Sequence, residues 1–562
     1  MDKELLFSAN GSEKREWWKE AVIYQIYPRS FKDSNDDGIG DLRGIIEKID
    51  HLDYLGVDVV WLGPVYKSPN DDNGYDISNY KEIHPEFGSM ADFEELLIKL
   101  NRKGIKLIMD LVVNHSSDEH PWFIESKKSK DNSFRDFYFW REGVEGREPN
   151  NWKSFFGGSA WTKDEITDQY YLHLFSRKQP DLNWENPKVR KEIYQIIEFW
   201  CEKGIDGFRM DVISLISKPM NFNDSPHEDF LDTVKYVYAN GPKVHHYIQE
   251  MYDKVLKNYD IMTVGEGPGI HKEVGLSYVQ RDKRELNMIF HLDHMFLGAG
   301  KLGRIDARPH ALIDFKRLFS DWNEAMGDQG WLSIFLDNHD FPRMVSRFGN
   351  DKDFRSESAK MLAILILTQR GTPCIYQGSE IGMTNMYFNR EEDFRDVEIL
   401  NFFKEIKVQG DDMENAMHLA NLNGRDNVRT PMQWSTEKQA GFTKGQSWIA
   451  VNPNFRDINV ASSLKDPNSI LNFYKDILAF RKTCPTMIYG NFEDLLPEDE
   501  QLYIYRRYTD KNEFLIQLNF SDQTIELDDY SFKQNVEFRI GNYPEHSINH
   551  IKPWEGRVYQ LL

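Results

Sequence analysis

Short apolar runs alternate along this chain with stretches of helical hydrophobic period. The runs at 21–28, 59–62, 106–113, 206–212, 260–265, 287–292, 332–337 and 373–377 are nearly continuous in apolar character, as strands covered on both faces are. Helix-period stretches lie at 42–55, 92–103, 187–203, 244–257, 310–325 and 356–369. Strand, loop and helix in that cadence predict βα units and a parallel sheet. Eight such strands suit a closed (β/α)8 TIM barrel better than an open doubly wound sheet, and a barrel gathers its chemistry at the C-terminal strand ends.

The cadence breaks twice. Residues 116–185 are rich in Trp, Phe, Asn, Gly and Asp and predict a small domain inserted after strand three. Residues 383–460 form a second excursion after strand eight, partly helical near 396–418. From about 490 the pattern becomes strictly alternating, as at Leu502 to Arg507 and Phe514 to Leu518, which predicts a C-terminal antiparallel β-sandwich domain. The expected divisions are therefore 1–115 and 186–489 for the catalytic barrel, 116–185 for the insert and 490–562 for the β domain.

Composition narrows the function classes. A net charge of -22 argues against nucleic acid and for neutral or cationic partners. Aromatic residues make up 14% of the chain, a supply of flat faces for sugars as well as of core. Cys201, Cys374 and Cys484 lack metal-like spacing and read as reduced thiols, which with the absence of a basic and apolar leader at Met1 to Glu4 points to a cytoplasmic protein. No apolar segment is long enough for a membrane helix. The expected state is a monomer.

Gly207 to Ile213 is the densest piece of candidate chemistry. Residues two apart on a strand share a face, so Arg209 and Asp211 project together, and the guanidinium favours the ionised carboxylate that a nucleophile must be. Such pairs are also ordinary salt bridges. Other strand ends, however, carry similar tips: Asp110 to His115, Glu266 in Val-Gly-Glu, and Asn338-His339-Asp340. Acids at the ends of apolar runs must be paired, hydrated or functional. Several acids converging with two histidines and an arginine form a glycosidase-like set, in which one carboxylate attacks while another protonates the leaving oxygen. A zinc site is the rival, though no His-x-x-x-His spacing supports it.

Two loops add candidates. Asp33, Asn35, Asp37, Ile39 and Asp41 place oxygens at alternate positions around a glycine turn, like the start of an EF-hand loop. A single structural Ca²⁺ (or Mg²⁺) and an ion-free turn both remain open from the spacing. Asp71 to Asp76 follows strand two, where Tyr75 and Asp72 suit a sugar ring and its hydroxyls, or merely a capped turn.

These motifs resemble the α-amylase superfamily of retaining α-glucoside hydrolases, and within it the oligo-1,6-glucosidase (isomaltase) and dextran glucosidase group. Gln179 to Trp184 and Arg425 to Trp434 are similar to that group as well. The resemblance implies Asp211 as nucleophile, Glu266 as general acid/base and Asp340 as a third acid gripping hydroxyls. It also implies that Asp72, Tyr75, His115, Arg209, His339 and Arg425 line the site of the non-reducing glucose, with Phe155 as a wall, and that the 33–41 loop is a single Ca²⁺ site. Val212, next to the nucleophile, is what the α-1,6-acting members carry. The expected substrates are therefore isomaltose and short neutral isomalto-oligosaccharides, with dextran, trehalose 6-phosphate and sucrose isomerisation as alternatives on the same scaffold. A phosphorylated sugar would need a cationic patch near the second sugar, for which Arg343, Arg347 and Lys352 are the candidates, unless they are surface residues or acid partners. The stretch 341–351 lacks the Arg/Asp-rich pattern of the sucrose isomerases, which favours hydrolysis. Ser379 and Gly267 depart from the group and are expected at the rim beyond the first glucose.

Overall fold

The computed structural model describes residues 15–300, 303–527 and 535–562; the leader reading at Met1 to Glu4 lies outside them. Eight parallel strands close a barrel: β1 Ile23–Ile26, β2 Val59–Leu62, β3 Lys106–Val112, β4 Gly207–Asp211, β5 Met262–Glu266, β6 Met288–Phe290, β7 Leu332–Ile334 and β8 Thr372–Tyr376. Each pairs with the next and β8 returns to β1. The register aligns Asp110 with Arg209 and Val112 with Asp211, so polar tips of adjacent strands emerge side by side. Gly207 begins β4 with φ +152°, and a Cβ there would sit 2.0 Å from the Met262 carbonyl oxygen of β5. Only glycine lets these two strands approach so closely.

The helices form where the period predicts, with differences at their ends. The stretch 42–55 breaks into two at Lys48, and 244–257 ends as an α-helix at Lys254. The helix Met90–Arg102 (α1) begins in a capping box between Ser89 and Asp92, and Pro187–Glu202 (α2) begins at an Asn186 cap followed by proline. Leu312–Met326 (α3) precedes β7, and Arg355–Thr368 (α4) precedes β8. α4 buries every residue from Ser358 to Thr368 because the helix Ile470–Thr483 and the C-terminal sheet cover it.

The insert contains a three-stranded sheet of Trp140–Arg141, Tyr170–Leu172 and Trp161–Lys163, too short-stranded to show a period in sequence. The excursion contributes two helices, Val397–Gln409 (α5) and Met413–Asn423 (α6). The C-terminal domain is sandwich-like, with an antiparallel five-stranded sheet and a second two-stranded sheet. Fully buried Arg507 ties the larger sheet to the barrel by donating to the carbonyls of Thr368, Met487, Ile488 and Gly490. Among the described residues no helix is long and apolar enough to cross a membrane.

Candidate active site

β4 delivers the centre of the site. Arg209 is 1% exposed and sends Nη1 to Asp110 Oδ1 at 2.5 Å and to Asp211 Oδ1 at 2.6 Å. Its Nη2 meets Glu266 Oε2, from β5, at 2.7 Å. Asp110 is held from its other side by the Trp61 indole N–H at 2.8 Å. One guanidinium thus joins the tips of β3, β4 and β5.

Beyond Asp211 the strand stops. Val212 takes φ 37° and ψ 40°, a left-handed conformation strained for a β-branched residue. The sequence pattern places Val212 inside the strand; the structure corrects this. The turn points its N–H at Glu266 Oε2, 3.2 Å away.

After β7, His339 and Asp340 form the opposite wall. Asp340 Oδ1 accepts from Arg429 Nη2 at 3.0 Å and from Arg425 Nη1 at 3.4 Å. His339 lies with Nε2 3.2 Å from Asp340 Oδ2 and 2.7 Å from the Tyr75 hydroxyl, while the Tyr75 ring stacks on it. Arg425 also reaches Asp72 Oδ1 at 3.2 Å. Gln179, from the insert, donates to Asp72 Oδ2 and meets His115 Nε2, both at 3.2 Å.

Asp72, Tyr75, His115, Phe155, Asp211, Val212, Glu266, Asp340 and Arg425 all line one cavity of about 120 Å³. Arg209 and His339 lie just beneath it, acting through the groups they touch. Residues not singled out as site residues in the sequence complete the walls: Phe156, Phe175, Gln179, Phe296, Arg304, Phe341 and Glu398. Gln179 sits in a noted motif, and Arg429 follows Arg425 by one helical turn. Arg304 comes from the loop after β6 and Glu398 from the first turn of α5, and neither position signals locally that it reaches the cavity.

Electrostatics divide the acids. Burial, and then the neighbouring carboxylates, push Asp211 and Glu266 up against the pull of Arg209. The pair therefore titrates together and retains a proton above the ordinary carboxylate range. Burial would also raise Asp340, but His339, Arg425, Arg429 and Arg304 outweigh it and hold that carboxyl well below its usual value. Burial raises Asp72 to about 7 despite Arg425 and Arg429. It lowers His115 to about 4 and His339 to about 3, so both imidazoles are neutral hydrogen-bonding groups at neutral pH.

Two expectations need correction. Arg343 is fully buried, donating to the Gln377 and Val428 carbonyls, and Arg347 and Lys352 line a different cleft. None of the three lines the catalytic cavity. Ser379 is not at the rim: buried, it donates to Asp337, which belongs to the barrel interior. A glutamate there would add a third buried acid beside Asp337 and Glu380.

The 33–41 loop stands apart from the cavity. Three successive Asx turns wind it, with Asp33, Asn35 and Asp37 each accepting from the N–H two residues on. Among the described residues no group of three or more His, Cys, Asp or Glu side chains is set to hold a metal. The candidate shell here mixes carboxylates with the Asn35 amide and the Ile39 carbonyl, an all-oxygen set whose chemistry fits a hard cation.

Residues 25–490 match the family described as "Alpha amylase, catalytic domain". The chain is 53% identical over 559 residues to an oligo-1,6-glucosidase of Parageobacillus thermoglucosidasius, spanning 98% of this chain and 99% of that protein. It is 47% identical over 554 residues to an α-glucosidase of Pediococcus pentosaceus, with 97% and 99% covered. Among solved structures, an isomaltulose synthase from Klebsiella sp. LX3 superposes with a TM-score of 0.94 at 43% identity. A trehalulose synthase from Pseudomonas mesoacidophila MX-45 does so with the same score at 42%. Each covers 98% of this chain and 100% of the other.

Replacing Arg209 by Met leaves three buried carboxylates without their shared cation, at an expected cost of about 3–5 kcal/mol of folding free energy near neutral pH. The freed acids acquire raised folded-state pKa values, so the folded variant binds more protons than the unfolded chain and is stabilised as pH falls. Denaturant titrations of variant and unaltered protein should show a larger gap at pH 8 than at pH 5. An equal gap at both would mean that Arg209 contributes packing alone.

Proposed function

Given that the chain belongs to the α-amylase family, we propose that it is a retaining glycosidase that removes the terminal α-1,6-linked glucose of isomaltose and short isomalto-oligosaccharides. The bridge Asp211–Arg209–Glu266 at the base of the cavity carries this reading. One guanidinium touching both acids favours the close carboxyl separation of a retaining pair, about 5–5.5 Å, over the wider one of an inverting pair.

In this reading Asp211 attacks C1 of the terminal glucose while Glu266 donates its proton to the glycosidic oxygen, breaking the C1–O bond and leaving a glucosyl ester on Asp211. Glu266, now ionised, takes a proton from water, whose oxygen attacks C1 and releases α-glucose. The coupled pair shares its proton through Arg209, which touches both acids, and this reaction proceeds from the form in which Glu266 carries the proton and Asp211 is ionised. Asp340, Asp72, His115 and Arg425 grip the hydroxyls; Tyr75 and Phe155 supply flat walls. Asp340, held ionised, accepts hydroxyl hydrogen bonds that strengthen as the ring gains positive charge.

Val212 supports the choice of linkage. Its strained turn brings a rigid β-branched side chain to the cavity wall beside Asp211, where it narrows the approach of the second sugar. The lack of Arg343, Arg347 and Lys352 from the cavity disfavours a phosphorylated second sugar. Sucrose isomerisation is the second reading, favoured by the likeness to the two synthases; identity to the oligo-1,6-glucosidase is higher.

Values of kcat/KM for isomaltose, isomaltotriose, maltose, dextran, trehalose 6-phosphate and sucrose should rank the first two highest. A tenfold advantage for trehalose 6-phosphate, about 1.4 kcal/mol at the transition state, would move the assignment to a phosphosugar hydrolase. Isomaltulose forming from sucrose faster than glucose would move it to an isomerase. Val212→Thr should raise the maltose-to-isomaltose ratio; an unchanged ratio removes the residue from the linkage argument.

The proposal includes one Ca²⁺ on the 33–41 loop, held by Asp33, Asn35, Asp37, Asp41 and the Ile39 carbonyl. It would stabilise the fold without entering the reaction. A ligand at a hundred times its Kd adds about 2.7 kcal/mol to stability. Chelation should lower the melting temperature, calcium should restore it, and kcat of the still-folded enzyme should be unchanged. A melting temperature indifferent to chelator would end the idea.

A further inference from the structure

A second cavity, of about 610 Å³, lies between the insert and α5 and shares Phe155, Phe156 and Glu398 with the catalytic cavity. Its volume is within the range of small-molecule sites, and it is the roomier of the two cavities. The two walls are joined directly. Asn401 of α5 donates to the Phe156 carbonyl at 3.1 Å. Gly157 of the insert comes so near Glu405 that a Cβ there would lie 2.7 Å from Glu405 Oε1. The cavity is thus a built space with insert on one side and helix on the other.

Its lining has the chemistry of a sugar site. Phe155, Phe230 and Phe402 give an aromatic floor, with Phe155 and Phe230 edge to face at 5.1 Å. Around it stand Lys153, Glu405 and Gln409, all exposed. Among the described residues none of these three side chains has a hydrogen bond or ion pair. Opposite charges left unpaired in one cavity, with an amide beside them, offer donors and acceptors to a neutral polyhydroxyl ligand and no net attraction for an anion. The shared residues Phe155, Phe156 and Glu398 set this cavity directly beside the catalytic one.

We infer that this cavity binds the reducing-end glucosyl units beyond the second of a longer isomalto-oligosaccharide, and so sets the enzyme's preference for chain length. The inference rests on the reading that the catalytic cavity takes the non-reducing glucose. Binding energy gathered this far from the scissile bond acts on kcat/KM and grows with each unit that reaches the cavity.

The test is a length series, isomaltose to isomaltopentaose, with the maltose series in parallel. For the unaltered enzyme kcat/KM should rise about tenfold from isomaltose to isomaltotetraose and then level. Gln409→Trp, which fills the cavity, and Lys153→Ala/Glu405→Ala, which strips its polar rim, should each cut that gain to less than about threefold while isomaltose stays within about twofold. The isomaltose value also serves as the check on folding. Isomaltose hydrolysis with a flat length profile, or a gain that both variants leave intact, overturns the outer site alone. Turnover of the maltose series in place of isomaltose overturns the linkage reading and the ligand assigned here with it.

Discussion

Three acids at the ends of β3, β4 and β5 can be buried together because Arg209 answers them at once. Asp110, Asp211 and Glu266 lie within 2.7 Å of its guanidinium, and the side chain has no access to water that would weaken the attraction. A buried charge without a partner costs several kcal/mol, so removing either side of this arrangement strands the other. The barrel register sets the geometry: β3 and β5 flank β4 and bring their tips to the one arginine. Across the cavity Arg425 and Arg429 do the same for Asp340, Asp396 and Asp72. The two clusters differ in outcome. The first retains a proton on a coupled pair, and the second keeps Asp340 ionised, which is the division of labour that covalent catalysis with proton transfer requires.

The barrel and the polar strand tips were legible because both rest on short-range rules. Near-continuous apolar runs followed by helical period predict βα units, and side-chain alternation put Arg209 and Asp211 on one face, where they meet at 2.6 Å. The pocket residues read from the family resemblance likewise gather at one cavity, with Arg209 and His339 directly below it. What escaped depends on tertiary placement, which no local period reports. Arg304, Asp396 and Glu398 come from the loop after β6 and the excursion after β8, and their roles depend on tertiary placement. Val212 belongs to the strand by pattern, yet the need to place its N–H on Glu266 and turn the chain away overrides a β-branched preference. Arg343, a candidate cation for a phosphorylated sugar or else a surface residue or acid partner, is instead consumed by buried carbonyls, and Ser379 is buried against Asp337, where a glutamate would add negative charge beside Glu380.

Specificity is built on that frame by the two segments that broke the cadence. The insert supplies Phe155, Phe156, Phe175 and Gln179, and the excursion supplies Glu398 and Arg425. The barrel thus fixes the acids, while the added pieces wall the cavity in front of them. This chain superposes on the two sucrose-converting synthases with a TM-score of 0.94.

The central claim is that Asp211, held by Arg209, forms the covalent bond to glucose. Incubating the enzyme with 5-fluoro-α-glucosyl fluoride and mapping the proteolytic peptides by mass spectrometry tests it directly. The account predicts one glucosyl adduct, on Asp211, accumulating as activity is lost, with turnover of isomaltose releasing glucose first as the α-anomer. An adduct on Glu266 or Asp110, or β-glucose as the first product, would contradict it.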